Sequence, residues 1–241
     1  MNKKNEIIFQ DENFIAVNKE PGICVFCSKD DFDDKNNLKN IIEQSVNQEL
    51  FIVSSLDKDS SGIVIFAKNE NSAELLRELF RDGKVLRKYI VLLSGTLEND
   101  EEIIEKKVLI SRDEIQIMPY GQRVAVKYKV MEKFRGYTLI EAYPLTQIKR
   151  QIRLLFWSIG NPLAIDKEYS SGEPIFLSSF KRNYKMKEGV KEKPIISRLT
   201  LHCSEIEFEI PKLSDKKKYS LKAQMPKDFE ITIKQMRKYY R

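Results

Sequence analysis

The sequence is poor in the side chains that build disulfide frameworks and metal centres, with three cysteines and a single histidine among 241 residues. Cys24, Cys27 and Cys203 form no disulfide framework and fit a reducing compartment. Cys24 and Cys27 have C-x-x-C spacing, but no second half-site exists beyond His202-Cys203. The cysteines therefore read first as small buried apolar residues and only second as a zinc or redox site. Long apolar runs are missing as well. Nothing approaches the roughly 18–20 residues of a membrane span, and Met1-Asn2-Lys3-Lys4 is not followed by a secretory hydrophobic segment. The expectation is a soluble, cytoplasmic protein with no membrane partner. Internal repeats are absent and no linker demands two independent domains, so residues 1–241 are expected to form one domain.

What is present is globular: 41% hydrophobic and 10% aromatic residues. A chain of this length can bury roughly 70–75% of its unfolded surface. Forty-two Lys and Arg against 36 Asp and Glu leave a net charge of +6. A basic balance favours a polyanionic partner, nucleic acid being the usual one, although a mixed solubilising surface would look the same by count.

Ile7-Ile8-Phe9 and Phe14-Ile15-Ala16-Val17, separated by Gln10-Asp11-Glu12-Asn13, read as a hairpin that Lys19-Glu20-Pro21-Gly22 ends with a turn. Leu38, Ile41, Ile42 and Val46 recur at helical spacing and predict a helix near 37–48. Residues 62–68 form a strand that is apolar on both faces and therefore central. Asn71-Ser72-Ala73-Glu74 has capping-box spacing and is expected to open a helix with Leu75, Leu76, Leu79 and Phe80 inward and Gly83 as its left-handed stop. A strand follows at 88–93. Val124, Val126, Tyr128 and Val130 alternate strictly, and residues 137–142 pair with them across Arg135-Gly136. Pro144 stops that strand, and Thr146 is expected to cap a helix carrying Ile148, Ile152, Leu155 and Phe156 up to Gly160. Residues 181–193 read as a mobile basic loop. Leu199, Leu201 and Cys203, then Ile206, Phe208 and Ile210, alternate with a slip near Ser204 that predicts a bulged strand. A short helix from Pro226 onward completes an α+β pattern.

Leu56-Asp57-Lys58-Asp59-Ser60-Ser61-Gly62 places a carboxylate on a tight polar turn just ahead of the strand Ile63-Val64-Ile65-Phe66-Ala67-Lys68. Alone, such a segment reads as a solvated turn whose Asp oxygens bond nearby N–H groups, and Asp59 is read as a turn or cap residue. Four further segments accompany it in order. They are Asp11 to Gly22, Arg87-Lys88-Tyr89-Ile90-Val91, Thr146 to Arg153 with Gly160-Asn161-Pro162-Leu163, Asp166 and Tyr169, and Arg198-Leu199-Thr200-Leu201-His202. Together the five blocks, which cover most of the chain, resemble the RluA-type pseudouridine synthases, enzymes that isomerise uridine in RNA.

The resemblance implies a pseudouridine synthase fold, a central mixed and mostly antiparallel sheet flanked by helices and loops around an RNA-binding cleft. It implies Asp57 as the catalytic carboxylate acting on the ribose, Arg153 as the partner that keeps it ionised and oriented, and Tyr89 stacking on the flipped base. Ile152 would wall the pocket. Arg81, Lys84, Arg87, Lys88, Lys149 and Arg150 would contact phosphates, with ribosomal or transfer RNA as the partner and a monomer as the working form. No metal or organic cofactor is implied.

From the residues alone, Tyr89 reads equally as a core aromatic, Arg153 as a surface arginine and His202 as a structural hydrogen-bonding residue. The chain departs from the family pattern at Ser54-Ser55, where the family has His-Arg, a flipping arginine among them. It departs again at Gln147-Ile148, Arg150 and Ile165. No S4-like RNA-binding module is expected ahead of the domain. Two alternatives stand beside the isomerase. One is an RNA-binding protein on the same fold with weak or no catalysis. The other, ranked last, is a metal-dependent nuclease or transferase using Asp57 and Asp59.

Overall fold

In the structure, a computed structural model, the elements run β1 (Glu6–Gln10), β2 (Phe14–Lys19), α1 (Leu38–Val46), β3 (Phe51–Ile52), β4 (Ser61–Ala67), α2 (Glu70–Arg81) and β5 (Leu86–Ser94). They continue through β6 (Glu101–Ser111), β7 (Glu114–Ile117), β8 (Gln122–Phe134), β9 (Tyr137–Pro144), α3 (Gln151–Ser158), β10 (Leu201–Pro211), β11 (Lys216–Lys222) and α4 (Lys227–Tyr239). The structure describes residues 5–26, 37–111, 114–181, 184, 189, 191–211 and 216–240. Cys27 and positions 182–183, 185–188 and 190 of the basic segment lie outside the described residues.

The chain divides into two compact units, Met1–Tyr89 with His202–Gln224 and Ile90–Leu201 with Met225–Arg241. In the first, β1 and β2 form the expected antiparallel hairpin. Its turn is closed by the Asp11 carboxylate, which accepts hydrogen bonds from the main-chain N–H groups of Asn13 (2.9 Å) and Phe14 (3.0 Å). β4 runs antiparallel to β2 and parallel to β10. All seven of its residues are buried, which is why its sequence is apolar on both faces. Ile15, Val17, Leu38, Ile42, Leu50, Val64 and Phe66 form a core under α1. Removing their apolar surface from water stabilises the unit by about 25 cal/mol per Å² buried.

In the second unit β8 pairs with both β6 and β9, and the sheet is antiparallel throughout this stretch. The hairpin turn before β9 contains Gly136 at φ +78°, a left-handed value that glycine reaches without strain. Ile90, Leu92, Leu139, Ile165, Phe229, Ile233 and Met236 make its core. The α+β pattern read from the sequence is therefore the observed one.

Two local expectations about helix caps need correction. The cap of α2 is Asn69, not Asn71: Asn69 is extended (φ −151°) and its side-chain oxygen accepts from Ser72 N, 2.8 Å, so Asn71 already lies in the first turn. Leu76, Leu79 and Phe80 point inward as expected, whereas Leu75 is only half-buried, and Gly83 takes its left-handed place (φ +69°). Second, Thr146 does not cap α3. Arg150 sits at φ +66°, which interrupts helical backbone ahead of Gln151, so Ile148 is off the helix. Thr146 Oγ1 instead donates to Gln151 Oε1 (2.7 Å), and Gln151 Nε2 donates back to the Thr146 carbonyl (2.7 Å). Along β10 the phase slip at Ser204 coincides with a change of partner. β10 pairs with β4 at His202 and Cys203 and then keeps unbroken register with β11 from Glu205 to Pro211.

Candidate active site

Each residue of the Asp57 turn has a separate physical task. The turn is closed on the main-chain oxygen of Asp57, which accepts from Ser60 N (3.2 Å) and Ser60 Oγ (2.8 Å). Ser60 thereby ties the end of the turn back to Asp57 through both its main chain and its side chain. Ser61 Oγ is 3.0 Å from His202 Nδ1, and His202 Nε2 is 3.3 Å from the Ala223 carbonyl. A carbonyl only accepts, so Nε2 carries the ring proton and Nδ1 accepts from the serine hydroxyl. His202 is fully buried and structural, as read from the sequence. Gly62 (φ +115°) lies so close to β10 that an added Cβ would sit 2.1 Å from the Cys203 carbonyl oxygen. Only glycine allows that parallel contact.

Below this turn lies a residue the sequence reading left without a role. Lys19 ends β2 at 0% exposure, and its Nζ donates to the carbonyls of Glu20 (3.0 Å), Ile23 (3.0 Å), Lys58 (2.9 Å) and Ser60 (2.7 Å). Lys58 and Ser60 both belong to the turn, so one ammonium fixes the backbone on which Asp57 rides. Its signal is a lysine closing a strand whose first four residues, Phe14 to Val17, are apolar. That position demands buried hydrogen-bond partners, but the sequence does not say which.

Tyr89 is brought to the same region. Burial first, and then the neighbouring Cys203, push its hydroxyl well above the ordinary value. Arg87 pulls the other way and the Asp57 carboxylate adds a further upward push. Cys203 is buried, and its thiol is pushed up to about 12, with burial as the main cause. It behaves as the small apolar residue expected, whereas Cys24 is half-buried. Arg87 places its guanidinium over the Phe80 ring, 5.9 Å from the centroid. Lys88 forms an ion pair with Glu205 at 2.6 Å. Arg81 and Lys84 are exposed and flank Asp82, with Lys84 Nζ 2.9 Å from Asp82 Oδ2.

The second unit carries the other candidates. Ile152 and Arg153 are both buried on α3. Arg153 holds Asp166 in a two-point grip, Nε to Oδ2 at 2.6 Å and Nη2 to Oδ1 at 2.7 Å. Nη2 also reaches Glu168 (3.0 Å), and the guanidinium carbon stands 5.2 Å from the Tyr169 ring centroid. Asp166 Oδ1 also accepts from the main-chain N–H groups of Glu168 (2.9 Å) and Tyr169 (3.2 Å), so this buried carboxylate is fully engaged. Arg150 pairs with Glu168 at 2.8 Å, and Lys149 is exposed beside it. A second two-point grip, missed in the sequence, joins Arg198 to Asp228 with both contacts at 2.8 Å. Among the described residues no group of three or more His, Cys, Asp or Glu is placed to hold a metal ion, and no helix is long and apolar enough to cross a membrane.

A mixed, largely antiparallel sheet with flanking helices, and an aspartate turn just ahead of a buried strand, make up an α+β scaffold. Residues 13–158, more than half of the chain, match the model of the RNA pseudouridylate synthase family. The chain belongs to that family, isomerases that act on RNA. It is 27% identical over 238 residues to the ribosomal large subunit pseudouridine synthase C of Buchnera aphidicola, covering 96% of this chain and 70% of the relative. The enzyme of the same name from Vibrio vulnificus is 27% identical over 234 residues, covering 96% and 69%. Among solved structures, human RNA pseudouridylate synthase domain containing 4 superposes with a TM-score of 0.69 at 20% identity, covering 96% of this chain and 92% of that one. Human RNA pseudouridylate synthase domain containing 1 gives 0.65 at 16% identity, covering 98% and 95%. Both share the fold.

Proposed function

We propose that this pseudouridine synthase uses Asp57 as its catalytic carboxylate on a uridine of ribosomal RNA. The carboxylate acts on the ribose so that the base detaches, rotates and rejoins through carbon. Tyr89 stacks on the extruded base, Ile152 walls the pocket, and Arg153 keeps the reacting carboxylate ionised and oriented. Lys149, Arg150, Arg87 and Lys88 contact the RNA backbone, whose binding supplies the energy for unstacking the target. The two compact units work as one catalytic domain, in a monomer and in the cytoplasm.

The observation that carries this reading is the turn itself. Lys19, Ser60, Ser61 and Gly62 each make a contact that fixes one part of the chain around Asp57. A carboxylate held in this way beside Tyr89 is prearranged for chemistry at little reorganisation cost. Ribosomal RNA is favoured over transfer RNA by the names of the relatives from Buchnera and Vibrio. The test is a pseudouridine map of total ribosomal and transfer RNA from cells with and without the gene. Loss of one or more ribosomal positions is the expected result. Loss confined to transfer RNA would overturn the substrate, and an unchanged map would overturn the activity.

A further inference from the structure

The sequence holds one tryptophan, Trp157, and it is 49% exposed on α3. The preceding residues Ile152, Leu154, Leu155 and Phe156 face the core, whereas Trp157 stands out from it. Its ring is not isolated. It lies 6.0 Å from the Tyr169 ring, and the Arg153 guanidinium holds Tyr169 from 5.2 Å. Arg153 in turn is fixed by the buried Asp166. The two rings are tilted by 53°, so Trp157 offers its own exposed face while its position is supported from behind by a ring that a buried ion pair braces.

Basic side chains lie near both rings in the sequence, interspersed with Asp166 and Glu168. Arg150, bound to Glu168 at 2.8 Å, immediately precedes α3, exposed Lys149 adjoins it in the chain, and exposed Lys167 lies two residues before Tyr169. Aromatic faces interleaved with basic side chains suit an unpaired nucleobase and its phosphate, because every base offers a π-face and every phosphate a negative charge.

We propose that Trp157, backed by Tyr169, is a stacking platform for an unpaired base that flanks the target uridine, with Lys149 and Arg150 taking the adjacent phosphates. This rests on the RNA-isomerase reading and adds a contact outside the proposed catalytic group. It assigns to Trp157 part of the grip on RNA in a chain that has serine at both positions 54 and 55.

Because the sequence has one tryptophan, its fluorescence reports this site alone. The full chain is titrated with a single-stranded oligouridylate of about 20 nucleotides, reading tryptophan emission and, in parallel, binding by filter retention. Saturable quenching at the RNA concentration that gives retention is expected, and inorganic polyphosphate, which has charge without bases, should not quench. Trp157→Phe should bind within a few-fold of the parent, and Trp157→Ala roughly tenfold more weakly. Retention of RNA with unchanged emission, or equal affinity of Trp157→Ala, would overturn the platform while leaving the isomerase intact. Absence of both RNA retention and pseudouridine formation would remove the underlying reading and the platform with it.

Discussion

The Lys19 ammonium lies 2.7 Å from the Ser60 carbonyl, and through this contact the end of β2 holds the turn that carries Asp57. Four carbonyl acceptors surround a group with three N–H donors, at zero exposure. Lys19→Met would keep much of the stem's volume and strand those carbonyls. Its expected loss is about 3 kcal/mol or more of stability, read by urea denaturation, with turnover falling further than stability alone explains. A variant as stable and active as the parent would show that the clamp is incidental.

Gly62→Ala forces a Cβ to within 2.1 Å of the Cys203 carbonyl at a φ of +115°. Neither atom belongs to a flexible side-chain end, so β4 and β10 must separate. A loss of more than about 3 kcal/mol and a melting temperature lower by many degrees are expected. Gly83→Ala is the control: its φ is also positive, but nothing lies within 4 Å of the added carbon, so it should be clearly milder.

Arg153→Lys replaces a planar fork with a point charge that cannot hold both Asp166 oxygens. The expected loss is roughly 1–3 kcal/mol of stability together with a large fall in turnover. Arg198→Lys breaks the comparable grip on Asp228, so it should lower stability similarly while sparing turnover. Equal effects of both variants on turnover would make Arg153 merely structural.

Cys203 and Tyr89 both keep their protons in the fold to a higher pH than usual. For groups raised in this way the folded state binds more protons than the unfolded chain. Their contribution is complete below the unfolded value, near 9 for the thiol, and is lost as pH rises toward about 12. Stability measured by urea between about pH 8 and 10.5 should therefore fall with pH. Cys203→Ala should flatten the slope by up to about 1.4 kcal/mol per pH unit. Parallel slopes would contradict the burial of that thiol.

Much of this was legible in the sequence, and for physical reasons. β4 reads as central because both its faces are apolar, and Gly83 and Gly136 sit where left-handed backbone is needed. What was not legible depends on partners distant in the chain. Lys19 meets a carbonyl 41 residues away. Arg153 was assigned to Asp57 by resemblance, but its grip on Asp166 could not be read from spacing alone. Asn69 and Asn71 are equally good caps by composition, and only the backbone leaving β4 selects the first. Arg150 at a positive φ defeats the helical periodicity that follows Thr146, because a bulky residue in that conformation is outside local propensity.

The central claim is that Asp57 performs the chemistry while the rest of the protein grips RNA. The most direct measurement is pseudouridine formation and RNA affinity for Asp57→Asn, using an RNA fragment that carries the mapped site. The account predicts no detectable pseudouridine with affinity within a few-fold of the parent. Retained turnover would contradict it.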